Sequence, residues 1–444
     1  MHSRTHHRGR RAAVTAVLAL MFMGAAEAPG LAETSREQQW FLGAMHAEEM
    51  WKVTTGKGIT VAVIDTGVDP TNPDLKGRIL PGRDLAEDLT GDAHTDYDGH
   101  GTGMAGLIAG TGSYGGGKGS FGLAPGSKIL PVRMPNPLEA ANEAEASKRF
   151  KETLPTAIRY AVDNGARVIN ISLAQREGDP QVTDAVKYAL DKGSLVFAGV
   201  GNDGDKGNPV MYPAATPGVV GVAAVGRDLR RTSESEFGPQ VDMAAPGQDM
   251  IHACGGKTGL CRSSGTSDAT ALASASAALI WSVHPDWTNN QVLRVMLNTL
   301  GAPTDGAKRN DSIGYGIVRP RIALTDPGDP GPADLYPLPD LKAAASASPS
   351  TAPSGADKGA DTTPAAARDD GGDSVPWIAV VVGVAVLLAV VLVGVIVVVR
   401  PRRRAAVPPT TAVSGQLPNP APGYGPPQGT SDPVHRPGNG PGGF

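Results

Sequence analysis

Five short apolar runs punctuate the middle of the chain: ITVAVID (59–65), SKILPVRM (127–134), ARVINISL (166–173), SLVFAGVG (194–201) and VVGVAAVG (219–226). Each is of strand length, and the apolar residues follow one another instead of strictly alternating, the mark of strands covered on both faces. Between several of them the spacing changes to a helical one, in TAIRYAVDNG from Thr156 and TDAVKYALDKG from Thr183, and an Ala-rich run at 266–283 predicts a long helix. Strands interleaved with helices predict an α/β fold, a mostly parallel central sheet with helices on both faces. In such a sheet the chemistry belongs in the loops after the carboxyl ends of the strands.

The pattern is different at the two ends. Arg4, Arg8, Arg10 and Arg11 precede an uncharged run at 12–26, with small residues at Ala28 and Ala32, which reads as a secretory signal; its 15 apolar residues fall short of a spanning helix. Residues 377–399 are 23 positions without a charge, long enough to cross a bilayer as one helix. Arg400, Arg402, Arg403 and Arg404 follow it and place the C-terminus in the cytoplasm. Residues 326–376, rich in Pro, Ala, Ser, Asp and Gly, show no apolar period and predict a disordered tether. The expected organisation is therefore a signal peptide (1–32), an N-terminal extension (33–58), a folded domain (59–325), the tether (326–376), the transmembrane helix (377–399) and a Pro/Gly-rich cytoplasmic tail (400–444). The protein is expected in the cell membrane as a single-pass protein with the folded domain outside.

Composition agrees with this division. The 58 Gly and 38 Pro among 444 residues are roughly twice average usage, too many for one uniform globule. The net charge of −4 divides into +4 at each end and −12 between, and an acidic folded part argues against nucleic acid as a partner. Two cysteines exclude a disulfide-rich scaffold and zinc-finger arrays. Cys254 and Cys261 bracket GGKTGL; outside the membrane a disulfide is favoured over two buried free thiols, and closing so short a loop contributes about 2.5 kcal/mol in the chain-entropy model.

Three Gly-flanked loops hold candidate chemistry. Asp65 ends the first strand in VIDTGVD and, alone, also fits a turn or capping aspartate. His100 lies between two glycines in DGHGTGMAG, ahead of an apolar helical run at 104–109. Ser267 follows Gly-Thr and opens the Ala-rich helix in SSGTSDATALASASAALIW; a serine there is ordinarily a cap, yet the same place offers free backbone N–H groups and a helix dipole to a developing oxyanion. An acid, a histidine and a serine in this chain order match one known order of the Asp-His-Ser triad.

Over roughly 58–320 the sequence resembles the subtilisin-like serine proteases: VIDTGVD, DGHGTGMAG and GTSDA resemble their aspartate, histidine and serine motifs. GVGNDG resembles the segment carrying the oxyanion asparagine, which implies that role for Asn202. VINISLA resembles the substrate-backbone strand and primary-pocket wall, which implies substrate binding by Ser172, Leu173 and Ala174. The resemblance implies a serine endopeptidase with Asp65, His100 and Ser267 catalytic, exported proteins or peptides as substrates, and no cofactor. Calcium stabilises many members, but the acids Asp84, Glu87, Asp88, Asp92, Asp96 and Asp98 match no defined calcium loop and read as a solvated acidic loop; no metal site is assigned. The short extension before the first strand, the tether, the single transmembrane helix and the short tail together are similar to the mycosins, membrane-anchored proteases associated with type VII secretion. That likeness also admits a different role, structural stabilisation of a membrane secretion complex with proteolysis secondary or absent.

Three positions depart from the family pattern. Asp268 and Ala271 stand where a bulky apolar residue and a proline are usual, and Gly103 stands where a histidine is usual. Asp268 has three readings: favouring basic residues just after the scissile bond, weakening the oxyanion site by repulsion, or turning outward to complement the helix dipole.

Overall fold

The structure is a computed structural model that describes residues 34–87, 89–255 and 259–347. The chain divides into 1–352 and 353–444, and every described residue belongs to the first part. The expected signal peptide, most of the expected tether, and the expected transmembrane helix and cytoplasmic tail lie outside the described residues, among which no helix is long and apolar enough to cross a membrane.

Chain order begins with three short helices, α1 (Ser35–Gln38), α2 (Trp40–Ala44) and α3 (Ala47–Trp51). There follow β1 (Thr60–Asp65), β2 (Arg83–Asp84), α4 (His100–Ala109), β3 (Lys128–Arg133), α5 (Glu143–Asp163), β4 (Val168–Ile171), α6 (Pro180–Asp191), β5 (Leu195–Gly199), β6 (Val219–Val225) and β7 (Met243–Pro246). A hairpin of β8 (Met250–Ala253) and β9 (Leu260–Ser263) leads into α7 (Thr266–Val283), and α8 (Asn289–Asn298), α9 (Pro320–Thr325) and α10 (Asp340–Ala347) complete the fold.

Seven strands form one parallel sheet in the order β2-β3-β1-β4-β5-β6-β7. The side-chain period of a strand sorts its residues between two cores. Val61 and Val63 join one cluster with α4, α7 and α8, while Ala62 and Ile64 join the other with α5 and α6. Both faces are thus covered, as the continuous apolar runs predict. The chain leaves β1 for β3 on one side and returns to β4 on the other, so β1 is where the strand order reverses, and Asp65 is its last residue.

Two segments expected outside the domain are part of it. In the extension, Phe41 and Leu42 are fully buried in the first core. Gln39, also fully buried, donates through Nε2 to the carbonyls of Phe121 at 2.8 Å and Ile251 at 2.9 Å. Residues 326–347, expected as the start of a disordered tether, are packed against the domain. The Arg294 guanidinium holds the Pro330 and Pro332 carbonyls at 2.6 and 2.9 Å, Leu338 is buried, and Tyr336 donates its hydroxyl proton to the Gly218 carbonyl at 3.1 Å. Their few anchors are too widely spaced to produce an apolar period, and backbone carbonyls carry much of the attachment.

Cys254 and Cys261 form a disulfide with Cα atoms 5.8 Å apart. It clips the turn end of the β8–β9 hairpin, where Ala253 pairs with Leu260 and His252 with Cys261.

Asp242, just before β7, accepts a hydrogen bond from the Gly221 N–H at 2.9 Å. Burial raises its carboxyl to about 8, against the lowering by that N–H and with help from Asp340. A carboxyl whose folded value lies above its ordinary 3.8 keeps its proton longer in the folded state, so stability is lost as pH rises between 3.8 and about 8. Thermal midpoints measured across that range should fall with pH, and Asp242→Asn should flatten the fall; an unchanged slope would contradict this assignment.

Candidate active site

Asp65 is fully buried at the end of β1. Its Oδ1 accepts from the Thr66 N–H at 2.8 Å, the Thr66 hydroxyl at 3.3 Å and His100 Nδ1 at 2.7 Å. His100 opens α4, and its Asp98-bonded backbone N–H (2.8 Å) fixes that start. The approach of α4 to β1 requires Gly101: a Cβ there would lie 2.1 Å from the Gly67 carbonyl oxygen and 3.1 Å from the Asp65 Cβ.

The carboxylate accepts from Nδ1, which leaves Nε2 as the nitrogen available to solvent and substrate. The His100 side chain is 33% exposed. Burial pulls its pKa down, but the charge of Asp65 and the hydrogen bond to it, with Asp98 and Asp268 adding, more than offset this and bring it up to about 9.

Ser267 sits in the first turn of α7, where backbone N–H groups have no intrahelical acceptor. Its hydroxyl donates to the Ser172 carbonyl at 3.2 Å, so the bond it makes is to the end of β4 and not to His100. Catalytic hydrogen bonds are commonly looser without substrate than with it. A buried relay anchors the turn: Ser274 donates to Asn170 Oδ1 at 3.0 Å, Asn170 Nδ2 to the Ser172 hydroxyl at 3.1 Å, and that hydroxyl to the Ser267 carbonyl at 3.3 Å.

Asn202 lies past the end of β5, and its Oδ1 accepts from the Thr266 N–H at 2.8 Å and the Thr266 hydroxyl at 3.2 Å. With the oxygen held against the start of α7, the Nδ2 donors are the free end of the amide. His100, Asn202, Ser267, Asp268, His252 and Ser263 share a cleft of about 730 Å³. Of the residues expected to bind substrate, Ser172 is hydrogen-bonded to Ser267, Leu173 packs on the second core and Ala174 is exposed, and all three lie outside the cleft lining.

Asp268 does not turn outward: it is 2% exposed, and its Oδ1 is hydrogen-bonded to the Ser263 hydroxyl. In the acidic loop Glu87, Asp92 and Asp98 are exposed, as expected of a solvated loop, while Asp84 and Asp96 are half-buried and bonded. Asp96 accepts from the Thr102 N–H and hydroxyl at 2.8 and 2.6 Å and from the Gly99 N–H at 2.9 Å, and Asp84 pairs with the buried Arg133 at 3.4 Å. Asp96 thereby braces the turn before His100 by accepting from backbone and hydroxyl donors. Among the described residues no group of three or more His, Cys, Asp or Glu is placed to hold a metal ion.

The motif reading passes over Asn170, His252 and Ser263. Asn170 is the one polar residue inside the apolar run 168–171, and that was its available signal. His252 and Ser263 gain their place only when the hairpin folds back on α4 and α7.

Comparison with known proteins supports the geometry. The Subtilase family model matches residues 56–316. An intracellular serine protease of Paenibacillus polymyxa is 35% identical over 242 residues, covering 53% of this chain and 70% of that protein. The MycP3 protease from the type VII (ESX-3) secretion system is 33% identical with a TM-score of 0.56, covering 64% of this chain and 88% of that one. A chain in the intact ESX-5 inner membrane complex is 25% identical with a TM-score of 0.59, covering 83% and 91%. The family match spans more than half of the sequence, and the solved mycosins share the fold whose strand ends carry these side chains, so the chain belongs to the subtilase family and is a serine endopeptidase related to the mycosins.

Proposed function

We propose that this protein is a membrane-anchored serine endopeptidase that hydrolyses peptide bonds of exported proteins through Asp65, His100 and Ser267, in association with a type VII secretion complex. The observation that carries the proposal is the 2.7 Å bond from His100 Nδ1 to the buried Asp65, in a site whose cleft also holds Ser267 and Asn202. On this reading Ser267 Oγ attacks the scissile carbonyl as Nε2 of His100 takes its proton, and the same nitrogen returns the proton to the leaving amine. Asp65 fixes the imidazole tautomer and stabilises its cation. Asn202 Nδ2 and the Ser267 N–H receive the oxyanion at the positive end of α7.

The apolar run after the N-terminal arginines and the uncharged 377–399 segment support secretion and anchoring, with the catalytic domain outside. The likeness to a chain of an inner membrane secretion complex supports the association, and it favours a second reading in which the domain stabilises such a complex whether or not it cuts.

A fluorophosphonate probe applied to the full-length protein in detergent should label Ser267, and Ser267→Ala should abolish labelling; an unlabelled unmodified protein would count against the enzyme. If Ser267→Ala restores secretion in cells lacking the protein, the stabilising role is the essential one. Asn202→Ala should lower turnover about 10²- to 10³-fold, the cost of losing such a donor in a related protease, with little change in KM. His100 must be neutral to act as base, so kcat/KM should rise with pH up to about 9. Asp65→Asn should shift that limb down toward 6.5 and lower the plateau by about 10⁴; a limb that stays in place would separate Asp65 from the titration of His100.

A further inference from the structure

Two of the three departures from the family pattern, Asp268 and Gly103, meet in space. A Cβ on Gly103 would lie 2.7 Å from Cε1 and 2.9 Å from Nδ1 of His252, so this imidazole occupies the volume that a side chain at 103 would need. His252 is 4% exposed, and its Nε2 is 4.0 Å from Asp268 Oδ1 with the Ser263 hydroxyl between them.

The protons in this chain can be counted. His252 Nδ1 lies 2.8 Å from the Ala253 carbonyl, which only accepts, so Nδ1 carries a hydrogen. His252 Nε2 is 2.8 Å from Ser263 Oγ, and Ser263 Oγ is also bonded to Asp268 Oδ1. Ser263 has one hydroxyl proton to give. Given to Asp268, it leaves Oγ to accept from a protonated Nε2, and the pair is a carboxylate with an imidazolium. Given to Nε2, it leaves Oγ to accept from a protonated carboxyl, and the pair is neutral. Moving from the second state to the first transfers one proton from Asp268 to Ser263 Oγ and one from Ser263 Oγ to Nε2, with none gained or lost. Both states have zero net charge.

We propose that His252 and Ser263 are positioning residues for Ser267: through one shared proton they hold the Asp268 carboxyl beside the nucleophile without net charge, so that it does not oppose the developing oxyanion. This rests on Ser267 as the nucleophile. Burial raises the Asp268 carboxyl and lowers the His252 imidazole, both favouring the neutral state. The charged and titratable neighbours are His100 on α4, which faces both members of the pair, and behind it Asp65 on β1 and Asp98. The hairpin that carries His252 and Ser263 is closed by the Cys254–Cys261 bridge, which keeps the two in register. Gly103 is thus the steric condition for the relay, and the relay is the electrostatic condition for Asp268.

The test compares the full-length protein with His252→Phe, Asp268→Asn and the double variant, by fluorophosphonate labelling and by kcat and KM between about pH 6 and 9. His252→Phe strands a carboxylate as pH rises, and the rate relative to the unmodified protein should fall roughly tenfold or more as pH rises through the raised Asp268 value, mainly in kcat. Adding Asp268→Asn should return the rate to within about twofold of the unmodified protein at every pH. A deficit that is the same at all pH values and is not relieved by Asp268→Asn would overturn the proposal, since it would mark a packing defect. His252→Gln, which keeps a donor to Ser263 but has no proton to share, gives the same comparison if the phenylalanine does not fold. Thermal midpoints supply a readout independent of catalysis: relative to the double variant, His252→Phe should lose stability as pH rises through the raised Asp268 value. If the unmodified protein fails to label, the assignment of Ser267 falls and the midpoints still decide whether the relay exists.

Discussion

Helix α7 is buried along nearly all of its eighteen residues, from Thr266 to Trp281, and the rest of the molecule is arranged to permit this. A helix with no solvent face must be built from side chains small enough for neighbours on every side, hence the alternation of Ala and Ser. Its hydroxyls must find partners within the protein. Thr270 and Ser276 return theirs to carbonyls of their own helix, and Ser274 reaches across to Asn170 on β4. The helix is thereby locked in rotation and in height against the sheet, and the residue in its first turn is held at the strand ends without depending on loop rigidity.

The same burial makes carboxylates expensive, and three near the site are supplied with donors. Asp65 takes His100 and Thr66, Asp96 takes the backbone and hydroxyl of Thr102, and Asp268 takes Ser263. Asp65 keeps one oxygen buried without a hydrogen bond. A group left in that condition favours a positive partner close by, and the imidazole of His100 is the one that can become positive during a reaction.

The strands and the long helix were legible because their apolar runs are continuous, a pattern that few other arrangements satisfy. Asp65, His100, Asn202 and Ser267 were legible because glycines flank them where the chain must turn and approach closely. Other features depended on distance in sequence. Nothing local in the run ending at Ala253 shows that His252 fills the space above Gly103, about 150 positions earlier. The attachment of 326–347 escaped notice because Arg294 binds backbone carbonyls, which every residue has, so sequence composition carries no trace of it.

Gln39 bears on how the chain reaches its fold. Its buried amide spans the backbones of Phe121 and Ile251, the second of them 212 positions away. A group that must be buried and fully bonded cannot be placed until both partners exist, and a loop of that length has to close first. The segment near the beginning therefore makes these bonds only once Phe121 and Ile251 have been brought together, and it joins them much as a stitch draws together two edges.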